Sequence, residues 1–321
     1  MIVVTGAAGF IASCFVAKLN TEGERDVVIV DDFSRPDRAR NYQGKRVRAA
    51  VERADFFDWI RGRERDVRAV VHLGARTDTV SAAVDVFDRL NVAYSQAVWR
   101  LCAAHGIRLI YASSAATYGV GELGYSDDHA LVPHLKPLNA YGRSKQVFDE
   151  WALDARAAPP AWFGLKFFNV YGPNEAHKGR MASVAWHAFG QIRASGAVKL
   201  FRSEHPAYSD GEQQRDFVYV HDVVEVVRHF LSGGPPSGLY NVGTGAAGTF
   251  RALAAAMFKA LSVPERILYI DMPTDLRDRY QYHTEADVRK LRTSGYRGSF
   301  TSVEDGVTDY ARRYLLRDEV M

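Results

Sequence analysis

The chain has 321 residues, 47% of them apolar and 25% charged, with a net charge of +3. That length suits one large α/β domain or two lobes, and the composition is ordinary for a globular protein. The small net charge gives no warrant for a nucleic-acid or membrane partner, and no apolar run approaches membrane-spanning length.

"MIVVTG" opens as a buried strand and runs straight into a glycine turn, with no basic segment ahead of it, so no signal peptide is expected. The turn "TGAAGFIA" has the spacing Gly6-x-x-Gly9-x-x-Ala12 and leads into a helical pattern. Gly6 permits the tight turn, Gly9 lets the backbone approach a pyrophosphate, and Ala12 allows close helix–strand packing. The pyrophosphate would sit at the positive end of the helix. Cys14 lies in that helix and Cys102 in a later one. Neither belongs to a metal-type cluster, no metal site is expected, and both read as core thiols suited to a reducing cytosol.

The strand "DVVIVDDF" ends on Asp31, where an acid can accept from a ribose hydroxyl. Asp31 and Asp32 would repel a 2′-phosphate, whereas Arg35, Arg38 and Arg40 follow at once and can pair with one. The sequence alone therefore leaves NADP and NAD both open. "RGRERDVR" (61–68) reads as a solvated face. "VRAVVHLGA" is a third strand, and "SQAVWRLCAAHG" a helix ending on a glycine stop signal.

"RLIYASSA" and "WFGLKFFNVYG" are further strands. Continuous apolar runs separated by helices predict a Rossmann-type doubly wound parallel sheet. After Gly172-Pro173 the rhythm breaks. A loop, a helix and the polar "SEHPAYSDGEQQ" precede a strand "RDFVYV", a helix over 221–232 and "GLYNVGTG". These features predict an α/β fold with a smaller, mixed C-terminal substrate lobe. The dinucleotide-binding domain would comprise 1–170 plus about 215–245, and the lobe about 171–214 and 246–321.

Chemistry concentrates in two stretches. "YASSAATYG" carries Ser113 and Ser114 at a strand end. "AYGRSK" places Tyr141 and Lys145 at i and i+4, on one face of a helix. A phenol titrates near 10, so it is a poor base at neutral pH unless a neighbouring cation favours the phenolate. Lys145 and an oxidised nicotinamide are such cations, and Ser114 can hold a substrate oxygen.

These motifs, with "FFNVYGPNEAHKGRMASVAWH" (167–187), "RDFVYVHDV" (215–223), "YNVGTG" (240–245) and "RYQYHTEAD" (279–287), resemble the extended short-chain dehydrogenases/reductases that act on nucleotide sugars. More narrowly the chain is similar to the ADP-L-glycero-D-manno-heptose 6-epimerases, and "HKGRMAS" is the selective segment. The resemblance implies an isomerase that inverts C6 of ADP-D-glycero-D-manno-heptose through a transient 6-ketone, using bound NADP. It implies proton transfer by Tyr141 on one side of the carbon and by Lys178 on the other. It further implies cofactor contacts from Phe10, Ile11, Arg38, Arg53, Ala75, Asn91 and Val170, with Tyr141, Lys145 and Lys178 also at the cofactor. Substrate contacts are implied for Asn169, Arg180, His187, Phe201, Arg215 and Tyr280. A cytoplasmic homo-oligomer is expected, pentamers being frequent in that group.

The chain departs from many members in having Asp31-Asp32 where they carry Asp-Asn, and "AYSDGEQQ" (207–214) looks like an insertion near the nucleotide. Alternatives are an epimerase acting on C4 or another carbon of a different NDP-sugar or NDP-heptose, and a non-catalytic NADP sensor. A 4,6-dehydratase would place an Asp-Glu pair where this chain has Ala115-Ala116. A sensor would have no use for Tyr141, Lys145 and Lys178 together.

Overall fold

In the computed structural model, residues 1–78, 83–277 and 280–321 are described. Seven parallel strands form the central sheet. In chain order the strands of the whole chain begin with β1 (Ile2–Thr5), β2 (Val27–Asp31), β3 (Ala49–Glu52), β4 (Ala69–His72), β5 (Arg108–Ser114) and β6 (Trp162–Phe167). Next come β7 (Asn169–Tyr171), β8 (Val198–Phe201), β9 (Gln214–Arg215) and β10 (Phe217–Tyr219), then β11 (Gly238–Val242), β12 (Gly248–Thr249) and β13 (Ile267–Ile270). The sheet order is β11-β6-β5-β4-β1-β2-β3. This is a doubly wound sheet whose order reverses between β1 and β4, the place where such folds bind ligands.

The unbroken Val/Ile runs follow from burial on both faces. Ile2 and Val4 pack into one layer with the helices Phe10–Thr21 and Val220–Ser232. Val3, between them, packs into the opposite layer with Trp99, Phe148 and Val70. Helix Tyr94–His105 ends at Gly106 in the left-handed conformation (φ 66°), which a glycine adopts without the Cβ clash. Cys14 and Cys102 are both buried and unpaired.

Three differences from the sequence reading have physical causes. β3 went unread because "AAVE" buries only Val51, as befits an edge strand. The run "WFGLKFFNVYG" is two strands, because Phe168 donates its N–H to Val242 O (3.1 Å) and β7 leaves to pair with β10. "RDFVYV" likewise divides at Asp216, whose carboxylate accepts from the backbone N–H of Thr244, Gly245 and Ala286. β8 pairs with β13 and β9 with β12 in small two-stranded pieces outside the main sheet. No helix among the described residues is long and apolar enough to cross a membrane.

Gly164 sits in a large–small–large row, with Tyr111 opposite on β5 and Leu239 opposite on β11. A Cβ there would lie 2.5 Å from Tyr111 Cζ and 2.6 Å from Leu239 Cδ2. Gly164→Ala should therefore destabilise the fold by about 1–3 kcal/mol, the usual cost of overpacking. Denaturant unfolding measures this, and a loss below about 0.5 kcal/mol would mean that the row yields freely.

Candidate active site

The glycine turn is shaped by close backbone approach. Gly6 has φ +71°, and a Cβ on it would lie 2.4 Å from Gly74 Cα in the turn after β4. A Cβ on Gly9 would lie 2.9 Å from Gly6 O. A cavity of about 270 Å³ opens beside the turn. Its walls include Gly6, Gly9, Phe10 and Ile11, then Asp31, Asp32, Arg38 and Arg53, then Ala75 and Arg76, and finally His177 and Lys178 from a distant loop.

Asp31 is buried, and its carboxylate accepts from the N–H of Ala8 (2.9 Å) and of Asp32 (2.7 Å). It thus organises the glycine turn from β2. Arg38 lies 3.5 Å from Asp31, and its Nε is buried without a hydrogen-bond partner. Arg35 pairs with Asp37 (2.6 Å) and Arg40 with Asp318 (2.9 Å), while Arg53 lies 3.8 Å from Asp32. The residues present fit a dinucleotide. The turn has no room for a side chain, and an orphaned guanidinium N–H sits on the wall.

Asn139 caps the helix Ala140–Asp154, its Oδ1 accepting from Gly142 N at 2.8 Å. Tyr141 and Lys145 project from this helix at the end of β5. Burial pushes the Tyr141 phenol above its ordinary value, and the neighbouring Ser114 side chain opposes the rise. Lys145 is buried and donates to Ala112 O (2.8 Å). Burial pushes its ammonium down to about 8, opposed by the charge of Asp149. Tyr141, Lys145 and Ser114 lie outside the walls of the cavity described above.

One turn further along the helix is Asp149, which the motif reading did not find. It is fully buried and accepts from Ser113 Oγ (2.6 Å), Tyr111 OH (3.1 Å) and Lys166 Nζ (2.7 Å). Lys166, also fully buried, donates in addition to Thr117 Oγ1 (2.9 Å). The i, i+4, i+8 spacing of Tyr141, Lys145 and Asp149 was the available signal. Asn91 is likewise a brace. Its side chain accepts from Arg76 N (2.8 Å) and donates to Arg76 O (3.0 Å) and Ser144 Oγ (2.9 Å). It ties the turn after β4 to the Tyr141 helix.

Lys178 is half-buried, its Nζ 5.3 Å from the centre of the Phe10 ring. Burial lowers its pKa, with Glu175 opposing. Beside it His177 is pushed down to about 4, chiefly by burial and then by Arg38. His177 Nδ1 is 3.2 Å from Asn41 Nδ2, which also donates to Ala8 O and Asn174 O (3.0 Å each). Asn174, left-handed at φ 73°, donates to Ser13 Oγ (2.8 Å). The Lys178 loop is thus fastened to the glycine-turn side of the molecule.

The remaining expected positions spread away from this cavity. Asn169 is exposed, with Thr284 Oγ1 3.5 Å from its Oδ1, and Val170 is half-buried on the same strand. Arg180 is exposed and 3.7 Å from Asp78. His187 Nε2 is 3.3 Å from Arg180 O. Arg215 is buried between two rings, 5.4 Å from Phe250 and 5.2 Å from Tyr280, and Tyr280 meets Phe201 edge-on at 6.2 Å. Thr79 to Ala82 of the stretch expected to border the sugar lie outside the described residues, as does Arg279 of the "RYQYHTEAD" segment. No group of three His, Cys, Asp or Glu among the described residues is arranged to hold a metal.

Residues 2–243 match the NAD dependent epimerase/dehydratase family, and the chain belongs to that family, whose chemistry uses a nicotinamide nucleotide. Two relatives bear the name ADP-L-glycero-D-manno-heptose-6-epimerase over almost their whole length. The one from Nitratidesulfovibrio vulgaris is 48% identical, with 98% of each chain covered. The one from Fusobacterium nucleatum is 44% identical, with 99% of each covered. The crystal structure of the Helicobacter pylori enzyme of the same name superposes with a TM-score of 0.81 at 27% identity, covering 97% of this chain and 95% of that one.

The Lys145 environment has a pH signature. Between about pH 8 and the ordinary lysine value near 10.4, the unfolded chain holds a proton that the folded chain has shed. Stability contributed at this site must therefore rise with pH across that window. At matched cofactor occupancy, the stability of the protein relative to Lys145→Met should increase from pH 8 to 10. A pH-independent difference in denaturant unfolding would refute the low value.

Proposed function

We propose that the chain inverts C6 of ADP-D-glycero-D-manno-heptose, giving ADP-L-glycero-D-manno-heptose by transient oxidation and re-reduction of that carbon. The observation that carries this reading is the position of Lys178. Its ammonium lies over the Phe10 ring on the wall shared with the glycine turn, on a different loop from Tyr141. A C6 epimerase must present its ketone in two orientations, and so needs a proton donor and acceptor for each.

Tyr141 takes the C6 hydroxyl proton in one orientation and returns it there. Lys145 holds the phenolate, and Ser114 holds the substrate oxygen. Lys178 does the corresponding work in the other orientation. A bound nicotinamide supplies reversible hydride chemistry at C6. Arg215, presented by the rings of Phe250 and Tyr280, grips the diphosphate through its planar fork. Asn169, Arg180, His187, Phe201 and Tyr280 contact the sugar and nucleotide, with the substrate lobe drawn from 171–214 and 246–321. Asn91 and Val170 flank the nicotinamide.

We assign NADP as the cofactor, with Arg38 and Arg53 on its 2′-phosphate. Arg35 and Arg40 are committed to Asp37 and Asp318, whereas Arg38 keeps a buried N–H unpartnered. The enzyme would work in the cytoplasm as a homo-oligomer.

Incubation with ADP-D-glycero-D-manno-heptose should yield the L-glycero epimer by NMR at C6; an unchanged C6 with turnover elsewhere on the sugar would refute the assignment. Tyr141→Phe should lower turnover by about 10²–10⁴-fold with cofactor retained. Lys178→Met should act asymmetrically. The ratio of forward to reverse kcat/KM is fixed by the equilibrium, so the asymmetry must be read in half-reactions. Reduced-nicotinamide absorbance in a single turnover should be slowed from one epimer much more than from the other, and equal slowing would argue for a phosphate-binding lysine. Mass analysis of the extracted dinucleotide should find NADP, and NAD alone would overturn the arginine assignment.

A further inference from the structure

Glu175 is fully buried and three residues ahead of Lys178. Its Oε1 accepts from Gly172 N–H (3.2 Å) and Ser183 O–H (2.6 Å), and its Oε2 from Ser183 N–H (2.6 Å). The Tyr310 phenol lies nearby, its pKa pushed up by burial and by this carboxylate. The three backbone and serine contacts all come from donors, which favour the ionised carboxylate and, with Lys178, oppose the upward push of burial on its pKa. Gly172 and Ser183 are the two ends of the loop that carries Lys178. One side chain therefore closes that loop from within.

Between those ends, Asn174 and His177 tie the loop to Ser13 and Asn41. Lys178 N–H bonds back to Glu175 O (2.9 Å) and Ala182 N–H to Gly179 O (3.0 Å), while Ala176, Gly179 and Arg180 are exposed. Around Lys178 stand His177 and the Phe10 ring, with Arg38 on the same cavity wall. Around Glu175 stand Lys178, Tyr310, and Cys14, with Lys45 and Tyr219 beyond. Among these groups Glu175 is the carboxylate that acts on Lys178.

We propose that Glu175 is the positioning residue of the Lys178 proton site: its buried carboxylate holds the two ends of the 172–183 loop together and supplies the counter-charge that keeps Lys178 able to hold a proton. This rests on the reading in which Lys178 transfers a proton at C6. Burial lowers the pKa of Lys178, and the Glu175 carboxylate opposes that shift. With the carboxylate in place it can cycle between both forms.

The test is made on the holoenzyme. The ionisation of Lys178 is read from the pH dependence of its acylation by acetic anhydride, followed by mass spectrometry of the peptide that contains it. Glu175→Gln removes the charge at nearly constant shape. The Lys178 midpoint should fall by about one pH unit, with bound cofactor retained. The pH-dependent limb of the half-reaction that Lys178→Met removes should move the same way. An unmoved midpoint in a folded E175Q protein overturns the proposal.

Should E175Q not fold, Glu175→Asp decides, since it keeps the charge and shortens the reach. The midpoint should then stay near the wild-type value while the Lys178-dependent half-reaction slows at least about tenfold, the effect of misplacement. A wild-type half-reaction in that variant overturns the proposal. Equal slowing of both half-reactions in Lys178→Met would instead sink the C6 proton-transfer reading, and the labelling midpoint would show separately whether Glu175 and Lys178 are coupled.

Discussion

The site hangs on one buried carboxylate, Asp149. It joins the helix that carries Tyr141 and Lys145 to two neighbouring strands at once, through Tyr111 and Ser113 on β5 and Lys166 on β6. Asp149 and Lys166 have no solvent contact, so losing either partner would strand a charge in the interior at a cost of about 3–5 kcal/mol. Such a pair is weak as a source of net stability. What it does here is fix the rotation of the helix about its axis, and with it the direction in which the phenol and the ammonium point. Burial that lowers the Lys145 pKa is moderated by the same carboxylate.

A second carboxylate does parallel work on the other lysine. Glu175 closes the Lys178 loop as Asp149 closes the helix–strand corner. Both are buried, both receive backbone or hydroxyl donors, and both lie within one turn or loop of the lysine they serve. The loop is in turn hooked to Ser13 and Asn41 of the glycine-turn side. The arrangement belongs to a fold that many chemistries share.

Much of this fold could be read from local pattern. β1, β2 and β4 are short, continuous Val/Ile runs because helices cover both faces, and Gly6, Gly9, Tyr141 and Lys145 sit on elements whose spacing is visible in one dimension. β3 was illegible because an edge strand with a single buried residue carries no pattern. Lys166 looked like an ordinary strand residue, since nothing in "WFGLKFF" announces that its side chain reaches Asp149. Asn91 read as a cofactor contact, and its bracing of Arg76 and Ser144 could not be read from the sequence. Such assignments depend on which strands become neighbours, and periodicity does not carry that information.

Both thiols of the chain are sealed away. Cys14 sits under the Lys178 loop, its sulfur 3.4 Å from Pro173 O and its pKa pushed up to about 12 by burial, and Cys102 is raised as well. Neither presents a reactive thiolate. The protein is consequently a blank background for site-directed labelling, and one cysteine introduced on the exposed surface of the 172–183 loop could carry a fluorophore or spin label without a competing site.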